Sequence, residues 1–326
     1  MPTVVVTWGL DDSLRQVVVA ALDGAAKPIY LPDLSDAARV EALRNADAVL
    51  ARTTRELRAG EIALLDKIRL LQFGTAGIDH VPLSDLPPHV PVASNAGAYA
   101  GPMAEHALAM ALAAAKRLLV EHAALARGEF NQFAPNRMLA GGVWGILGFG
   151  GIGIAMARLA RGVGMKVHAI NRRGRSEEPT DWIGTPDQLD MLLAASDVLL
   201  ISTPLTPATL GMIGAPQLAR MKQDAILVNV ARGEIIDERA LYERLVAFPR
   251  FFACIDAWWF EPIRHGSFRM DRPLMSLPNV IGSPHNSAAS IAETGVAGLQ
   301  RAVANIRRAL AGEIPLNLVP PEDRML

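Results

Sequence analysis

The sequence predicts an α/β protein of two domains, each containing a largely parallel β-sheet. Its 326 residues exceed the usual size of one domain. Short apolar runs alternate with helix-like segments through the first hundred residues, and the alternation starts again at Val143. Strands and helices that alternate in this way predict parallel sheets with helices packed on their faces.

Continuous apolar runs mark the strands, and their lack of polar alternation indicates burial on both faces of a sheet. The predicted strands are Thr3–Thr7, Asp47–Ala51, Leu70–Phe73, Val143–Leu147, Lys166–Ile170, Val198–Ser202, Ala225–Val230, Phe251–Asp256 and Asn279–Gly282. The predicted helices are Leu14–Leu22, Asp36–Arg44, Met103–Leu119, Ile152–Val163, Pro186–Ala195, Ala215–Met221, Glu238–Ala247 and a last helix from about Ala288 to Ala311. The six strands from Val143 onward fit a doubly wound sheet.

One segment has no regular periodicity. Gly128–Gly142 carries Phe130 and Phe133, two apolar residues without an obvious partner inside the segment. The segment is either a packed loop or an arm that contacts a second subunit.

Composition narrows the class of protein. Apolar residues make up 51% and charged residues 20%, which allows a sizeable core. The formal net charge of −1 provides no bulk field for nucleic acid or anionic membranes, so neither is expected as a partner. A single cysteine, Cys254, excludes an internal disulfide and fits a reducing compartment. Met1–Gly9 lacks signal-peptide features, Ala104–Ala115 is too short to span a bilayer, and no residue spacing suggests a metal site. We therefore expect a cytoplasmic protein.

A glycine-rich turn follows the strand Val143–Leu147. Residues 148–153 read Gly-Phe-Gly-Gly-Ile-Gly, which matches G-x-G-x-x-G between a strand and a helix, the context that dinucleotide binding requires. Gly148 permits the tight turn, Gly150 lets a pyrophosphate approach the backbone, and Gly153 lets the helix pack closely on the strand. The helix N-terminus then offers N–H groups to the phosphates. The turn therefore predicts a dinucleotide site.

The end of the next strand predicts the cofactor. An acidic residue commonly binds the ribose 2′-hydroxyl there, but this chain reads Asn171, Arg172, Arg173, Gly174, Arg175. Guanidinium groups pair well with a 2′-phosphate, so we expect NADP(H) to be preferred, with NAD(H) as the other option. The competing interpretation is a solvated basic loop.

Three later segments end strands with polar residues. They are Asn229–Gly233, Asp256–Pro262 and Ser283–His285. The carboxyl ends of parallel strands converge on the ligand crevice. An arginine there can bind a carboxylate through two parallel hydrogen bonds, and a histidine can deliver a proton to a carbonyl oxygen. A neighbouring carboxylate would favour the protonated imidazole and orient its ring. The set suits reduction of a 2-oxo acid by hydride.

Longer stretches of the chain resemble the D-isomer-specific 2-hydroxyacid dehydrogenase family over nearly the whole length, and its glyoxylate/hydroxypyruvate reductases in particular. The matching stretches are Gly145–Gly153, Ser196–Thr209, Ile226–Asp237, Asp256–Pro262 and Pro278–His285. The resemblance implies a Rossmann-type doubly wound parallel sheet in a cofactor domain, residues 99–286. It also implies a smaller flavodoxin-like α/β substrate domain, residues 1–98 and 287–326, and a homodimer through the cofactor domain.

The resemblance also implies roles for individual residues. Arg232 would anchor the substrate carboxylate, Glu261 would partner the histidine, and His285 would be the general acid/base. The residues implied or suggested to bind the cofactor are Gly148, Gly150, Gly151, Ile152, Gly153, Asn171, Arg172, Arg173, Thr203, Pro204, Val230, Ala231 and Asp256. The residues implied to bind the substrate are Thr75, Ala76, Gly77 and Asn95.

Simpler interpretations exist for several of these residues. Glu261 could be only a turn residue before a proline, and His285 only a loop histidine. Trp258 and Trp259 either pack in the core or narrow the substrate pocket. Tyr99 either reaches the cleft or packs. Asn286 and Ser287 stand where the family usually has isoleucine and glycine, which leaves the local geometry open.

Other functions compete with 2-oxo acid reduction. Formate dehydrogenases share the fold but carry glutamine at the position of Glu261. Enzymes that oxidise phosphite retain the same three residue types as Arg232, Glu261 and His285. Some relatives are dinucleotide-sensing corepressors, which is a binding function rather than catalysis. The D configuration follows from the resemblance alone, and the sequence does not name the 2-oxo acid.

Overall fold

The computed structural model describes residues 1–79, 81, 83, 86–288 and 292–324. The chain divides into two units, one formed by Met1–Tyr99 with Ser290–Leu326 and the other by Ala100–Ala289. The first unit is therefore discontinuous in sequence, because its last helix comes after the whole of the second unit.

All the described strand pairs within each unit are parallel. The strands of the first unit are β1 (Thr3–Val6), β2 (Lys27–Tyr30), β3 (Ala48–Ala51), β4 (Leu71–Phe73) and β5 (Val92–Ala93). Those of the second are β6 (Val143–Leu147), β7 (Lys166–Ile170), β8 (Trp182–Gly184), β9 (Val198–Ile201), β10 (Ile226–Asn229), β11 (Phe252–Ile255) and β12 (Val280–Gly282).

The helices follow the strands in chain order. They are α1 (Asp12–Leu22), α2 (Asp36–Arg44), α3 (Ala100–Ala115), α4 (Leu118–Ala126), α5 (Gly151–Gly162), α6 (Leu189–Ala195), α7 (Ala215–Arg220), α8 (Glu238–Ala247), α9 (Pro262–His265) and α10 (Ala292–Leu310). None of the helices within the described residues combines the length and apolarity needed to cross a membrane.

The strand order distinguishes the two sheets. The first sheet runs β2-β1-β3-β4-β5, the order of the flavodoxin-like doubly wound fold. The second runs β12-β11-β10-β9-β6-β7-β8, which is the Rossmann order with one more strand at its end. The order reverses between β6 and β9, and the glycine turn follows β6, so that turn lies at the switch point where such sheets bind ligands. The predicted fold class is confirmed.

Burial on both faces explains why the central strands are mostly apolar. In the first unit, Val4 and Val6 belong to the apolar cluster that includes α1 and α10, while Val5 belongs to the cluster on the opposite face. β9, β10 and β11 are buried at every residue. A strand with a helix on each face has no side that faces water, so polar alternation disappears.

Each of the nine predicted strands is present, with small differences at the ends. Sequence reasoning missed β2, β5 and β8, and all three lie at an edge of their sheet. β2 contains Pro28, which is tolerated at an edge because one side of an edge strand makes no ladder hydrogen bonds. β2 and β8 are partly exposed and β5 has only two residues, so none of the three has the continuous apolar signal of the central strands.

The predicted long helix Met103–Leu119 is wrong in its last turn. Helix α3 ends at Ala115, Arg117 adopts a left-handed conformation (φ 54°), and α4 begins at Leu118. The carbonyl of Ala115 accepts a hydrogen bond from the Arg137 N–H (2.9 Å), a contact from 22 residues away that replaces the helical bond. Tertiary contacts of this kind override local helix propensity. The last helix is present as α10, and residues 289–291 of that prediction lie outside the described residues.

Candidate active site

The glycine turn opens α5 at the switch point of the second sheet. The N–H groups of Gly148 and Phe149 both donate to the carbonyl of Ile170 at the end of β7 (3.1 and 3.0 Å). Gly150 precedes the first helical residue in extended backbone, and Gly150 and Gly151 are exposed while Gly153 is buried. The first N–H groups of a helix have no partner inside it. The turn therefore offers exposed backbone donors with no side chain in the way.

Two glycines of this turn are sterically required, and a third is not. At Gly148, φ is 103° and an added Cβ would lie 2.4 Å from the backbone nitrogen of Thr203, which follows β9. At Gly153 it would lie 2.6 Å from the Gly148 carbonyl oxygen. At Gly150 nothing lies within 4 Å of an added Cβ. The absence of a side chain at Gly150 therefore has no explanation in the protein's own packing, but a pyrophosphate against the backbone explains it.

The basic loop after β7 is held in shape by Asn171. Its side-chain oxygen accepts the Arg173 N–H (2.9 Å), and its side-chain amide donates to the Arg175 carbonyl (3.0 Å). Arg172 and Arg173 are exposed. The Asn171 side chain was expected to contact the cofactor, and its amide and oxygen shape the loop. The guanidinium groups of Arg172 and Arg173 are exposed charges of the same loop.

Arg232 lies in a turn that Asn229 builds at the end of β10. The buried Asn229 side chain accepts the Ala231 N–H (3.0 Å) and donates to the Arg232 carbonyl (2.9 Å). Val230 and Ala231, which belong to this turn, are buried. Arg232 Nη1 donates to the Ala231 carbonyl (2.7 Å), so the guanidinium folds back toward its own turn.

Gly233 lets this turn contact the segment that carries Glu261. An added Cβ at Gly233 would lie 2.4 Å from the Trp258 carbonyl carbon and from the Trp259 nitrogen. Only glycine permits so close a backbone approach. The arginine and the carboxylate therefore come from strands β10 and β11 on backbones that touch.

Glu261 and His285 form the central contact of the site. His285 Nδ1 lies 2.8 Å from each carboxylate oxygen of Glu261. Glu261 Oε1 also accepts the Trp258 N–H (2.7 Å), and the Glu261 side chain is 8% exposed against 31% for His285. An ionised carboxylate only accepts hydrogen bonds, so Nδ1 must carry the proton. Nε2 is then the ring atom left to exchange a proton with a ligand.

The charge state of Glu261 follows from its surroundings. Burial alone would raise the pKa of this carboxyl group, but the hydrogen bond and charge of His285 act against it. The Trp258 N–H and the charge of Arg232 act in the same direction, so the pKa lies below its ordinary value. Because the pKa is lowered, the carboxylate stays ionised at neutral pH and is lost only as the pH falls through that lowered pKa. An ionised Glu261 can therefore orient the His285 ring and compensate a positive charge that develops on it.

Backbone strain at His285 also favours a role for this residue. His285 has φ 52°, a conformation that non-glycine residues adopt at a cost, and its N–H donates to the Asp256 carbonyl (3.0 Å). Strained residues of this kind cluster at functional sites.

Asp256 is fully buried and gathers the segment around His285. Its Oδ1 accepts the Ser283 hydroxyl (2.6 Å) and the Asn286 N–H (3.1 Å), and its Oδ2 accepts the Ser287 N–H (3.3 Å). His106 Nε2 lies 2.9 Å from the Ser283 hydroxyl. Asp256 therefore contacts residues on both sides of His285, a contribution beyond its expected contact with the cofactor.

Thr203 and Pro204 follow β9 and lie beside the glycine turn. The backbone of Thr203 approaches Gly148, and the Ser202 hydroxyl donates to the Gly148 carbonyl (2.9 Å). The Pro204 carbonyl accepts the Thr209 hydroxyl (2.7 Å). The second unit thus brings the predicted cofactor residues at the ends of β6 and β9 together.

The residues predicted to bind substrate lie in the first unit. Thr75, Ala76 and Gly77 follow β4 and are partly buried, and the Thr75 hydroxyl is buried without a hydrogen-bond partner among the described residues. Asn95 is 2% exposed, and its side-chain amide donates to the carbonyls of Gly74 (3.2 Å) and Gly298 (2.8 Å). Asn95 therefore fastens this loop to α10. Tyr99 packs here too, because its hydroxyl donates to the Gly74 carbonyl (3.2 Å).

The two tryptophans pack in the second unit. Trp258 and Trp259 are buried, and their indole N–H groups donate to the carbonyls of Ser283 (2.8 Å) and Ile236 (2.7 Å). Buried indoles with satisfied donors are structural members of the core. Cys254 is also buried, and burial raises the pKa of its thiol, which keeps the thiol protonated.

Sequence reasoning assigned no chemistry to His106, and it missed Ser283 as a partner of Asp256 and His265 as a partner of Glu261. Ser283 stood in a segment already selected for its histidine, which was a usable signal. His106 reaches Ser283 across 177 residues of chain. No spacing rule could have paired them.

Comparison with known proteins places these features in a class. Residues 108–287 match the family model described as D-isomer specific 2-hydroxyacid dehydrogenase, NAD binding domain. A glyoxylate reductase from Korarchaeum cryptofilum (strain OPF8) is 32% identical over 289 residues, which cover 87% of this chain and 85% of the relative. The class that fold, turn and match define is an oxidoreductase with a dinucleotide-binding domain.

Solved structures of similar fold match nearly the whole chain. A candidate formate dehydrogenase from Pyrobaculum aerophilum superposes with a TM-score of 0.81 at 28% identity, covering 98% of both chains. A D-isomer specific 2-hydroxyacid dehydrogenase from Xanthobacter autotrophicus Py2, solved in complex with NADPH and MES, gives 0.77 at 26% identity and the same coverage. The chain belongs to the D-isomer-specific 2-hydroxyacid dehydrogenase family.

Two glycine substitutions should separate folding from cofactor binding. Gly148→Ala places a Cβ against the Thr203 backbone in a left-handed conformation, so we expect a loss of about 2 kcal/mol or more in the free energy of unfolding. Gly150→Ala meets no protein atom, so stability should change by less than about 1 kcal/mol while dinucleotide affinity falls about 10-fold or more. Thermal unfolding and fluorescence titration with reduced cofactor measure both. A Gly150→Ala variant that binds as tightly as the parent would contradict the assignment.

Proposed function

We propose that this chain reduces a small 2-oxo acid to the D-2-hydroxy acid with a reduced nicotinamide dinucleotide. The observation that carries the proposal is the contact between His285 and the buried, ionised Glu261 beside the turn of Arg232. A proton held on an imidazole and a guanidinium nearby are what a carbonyl flanked by a carboxylate needs for reduction.

Each residue has a distinct task in the reaction. Arg232 binds the substrate carboxylate through paired hydrogen bonds and so fixes the carbonyl. The bound reduced nicotinamide supplies the hydride that the carbonyl carbon accepts. His285 delivers the proton from Nε2 to the carbonyl oxygen, while its Nδ1–H stays with Glu261. Glu261 stabilises the imidazolium before transfer and fixes the ring afterwards. The 2-oxo acid gains one hydride and one proton.

The two units divide the work in this proposal. The second unit, about residues 99–286, binds the dinucleotide at the glycine turn, at the ends of β7, β9 and β10 and at Asp256. The first unit, about residues 1–98 and 287–326, binds the substrate through the N–H groups of Thr75, Ala76 and Gly77. Support comes from the loop after β4, where the Asn95 amide and the Tyr99 hydroxyl both donate to the Gly74 carbonyl and so hold the loop in place.

Formate oxidation is disfavoured by the same contact. Formate loses a hydride to become carbon dioxide, so no hydroxyl proton has to be held or moved. A buried carboxylate that retains a proton on His285 is therefore of no use to that reaction. It is useful wherever a carbonyl becomes a hydroxyl.

The first test is turnover with a panel of 2-oxo acids, including glyoxylate, hydroxypyruvate and pyruvate, followed by loss of reduced-cofactor absorbance. His285→Gln should lower kcat/KM by roughly 10²–10⁴-fold because no group then donates the proton. His89→Gln, which changes an exposed histidine of the first unit, is the control and should leave the rate unchanged. If His285→Gln matches the parent protein, the acid/base role is wrong.

We further propose that NADP(H) is the preferred cofactor. The loop after β7 carries Arg172 and Arg173 in exposed positions and no acidic side chain between 171 and 175. A ribose 2′-phosphate would meet guanidinium groups there, whereas a 2′-hydroxyl would find no carboxylate to accept its hydrogen bond.

Cofactor preference is tested by the double variant Arg172→Ala/Arg173→Ala. Its KM for NADPH should rise about 10-fold or more, since each lost charge-assisted hydrogen bond is worth about 1.5 kcal/mol, while its KM for NADH stays within about two-fold. Arg220→Ala removes an equally exposed arginine elsewhere and serves as the control. A parent protein that uses NADH as well as NADPH would overturn the preference.

We propose a homodimer formed through the second unit. Six large apolar side chains in α4 and the following loop are more than half exposed, and the packed-loop interpretation of Phe130 and Phe133 is therefore wrong. They are Leu118 (57%), Leu119 (53%), Leu125 (58%), Phe130 (77%), Phe133 (91%) and Met138 (75%). Exposed apolar groups concentrated in one segment mark an interaction surface, and a second copy of this chain is the occupant we propose.

Sedimentation equilibrium tests the dimer. The parent protein should sediment as a dimer at micromolar concentration, and Phe130→Ser/Phe133→Ser should shift it toward monomer because it removes apolar contact area. Ile263→Ser, which changes an exposed apolar residue outside this segment, should leave the dimer intact. A monomeric parent protein would contradict the proposal.

A further inference from the structure

The segment after Glu261 turns back onto the site. Helix α9 ends at His265, and its C-cap Gly266 adopts a left-handed conformation (φ 79°). Two of its side chains, Arg264 and His265, point toward the turns that carry Glu261 and Arg232. Neither was singled out by the sequence.

His265 holds the backbone of Glu261 on two sides. The His265 N–H donates to the Glu261 carbonyl (2.7 Å), and the Glu261 N–H donates to His265 Nδ1 (3.1 Å). A nitrogen that accepts a hydrogen bond carries no proton, so this contact requires the imidazole to be neutral with its proton on Nε2. The ring lies against Phe260, with centroids 5.3 Å apart. The contact therefore fixes the residue whose carboxylate orients His285.

Arg264 connects the same segment to the turn of Arg232. Its Nη1 donates to Glu234 Oε2 (2.9 Å) and its Nη2 lies 2.6 Å from Oε1, a paired guanidinium–carboxylate contact. The side chains are only 11% and 20% exposed, so water screens the pair weakly. Glu234 follows Arg232 by two residues, in the short helical turn Gly233–Ile235.

Glu234 also lies within reach of the histidine. His265 Nε2 is 4.0 Å from Glu234 Oε1. The three side chains therefore form one connected group between the turn that carries Arg232 and the residue Glu261. We call Glu234, Arg264 and His265 the brace.

We propose that the brace positions Glu261, and through it His285, relative to Arg232, and so sets the distance between the proton donor and the carboxylate anchor. The inference rests on the proposed function, because it assigns positioning residues to that reaction. None of the three is expected to touch the reacting atoms. They act through Glu261 and through the turn of Arg232.

The test compares His265→Ala with His265→Asn, since the Asn side-chain oxygen can accept the Glu261 N–H and the Ala side chain cannot. His265→Ala should lower kcat about 3–10-fold, the effect of one lost hydrogen bond, with KM for the 2-oxo acid within two-fold. His265→Asn should recover most of kcat. Ser267→Ala, an exposed change in the same segment, should match the parent protein.

The link to Arg232 has its own readout. Arg264→Met and Glu234→Gln should each raise KM for the 2-oxo acid about 3–10-fold, because each loosens the turn of Arg232. The double variant should be no worse than the more affected single variant, since both remove the same contact. Additive effects would overturn this half of the proposal.

A measurement without turnover separates failure of the brace from failure of the proposed function. The His285 Nδ1–H shared with Glu261 should give a downfield proton resonance in the parent protein and in His265→Asn, and it should broaden in His265→Ala as exchange with water becomes faster. A resonance that is unchanged in His265→Ala, or wild-type kcat in that variant, overturns the brace. If the resonance is sharp in the parent protein and broadened in His265→Ala, but the parent protein reduces no 2-oxo acid, the brace is supported and the proposed function is refuted.

Discussion

The site depends on one interaction, the hydrogen bond between His285 Nδ1 and the carboxylate of Glu261. Burying a carboxylate costs free energy unless hydrogen bonds and an opposite charge compensate. Here the imidazole, the Trp258 N–H and the charge of Arg232 do so, and together they hold the pKa of Glu261 below its ordinary value. The arrangement follows from the parallel sheet, which delivers β10, β11 and β12 with their carboxyl ends side by side. The fold therefore brings together the strand ends that carry Arg232, Glu261 and His285.

The central strands were predictable because burial on both faces makes their sequences mostly apolar. β6 and β7 were predicted with their observed bounds, while the edge strands β2, β5 and β8 were missed. The difference is physical: β2 and β8 are partly exposed, β2 contains Pro28, and β5 has only two residues, so none of the three carries a long apolar run. The break between α3 and α4 was missed for another reason. A carbonyl at Ala115 is satisfied by Arg137, and no local pattern announces a partner that distant in sequence.

The candidate site could be predicted only in part. As with the fold, features that have a local sequence pattern were found, and features that depend on tertiary contacts were not. Glycines, an arginine and a histidine at strand ends carry a local signal, because their type and place in the strand-turn-helix pattern are enough. The tasks of Asn95, His106 and His265 arise from side-chain contacts in the folded protein, and no local sequence pattern specifies those contacts. Asn95 stays a predicted substrate residue, and its side-chain amide also donates to two backbone carbonyls. Of the two interpretations of Trp258 and Trp259, burial and satisfied donors support packing in the core.

The central claim is that the ionised Glu261 keeps a proton on His285 for delivery to substrate. The most direct measurement is kcat/KM for 2-oxo acid reduction at neutral pH in Glu261→Gln against the parent protein. The amide preserves the size of the side chain but removes its charge, so we expect about a 10-fold or greater loss. A Glu261→Gln enzyme with the parent's kcat/KM would contradict the central claim.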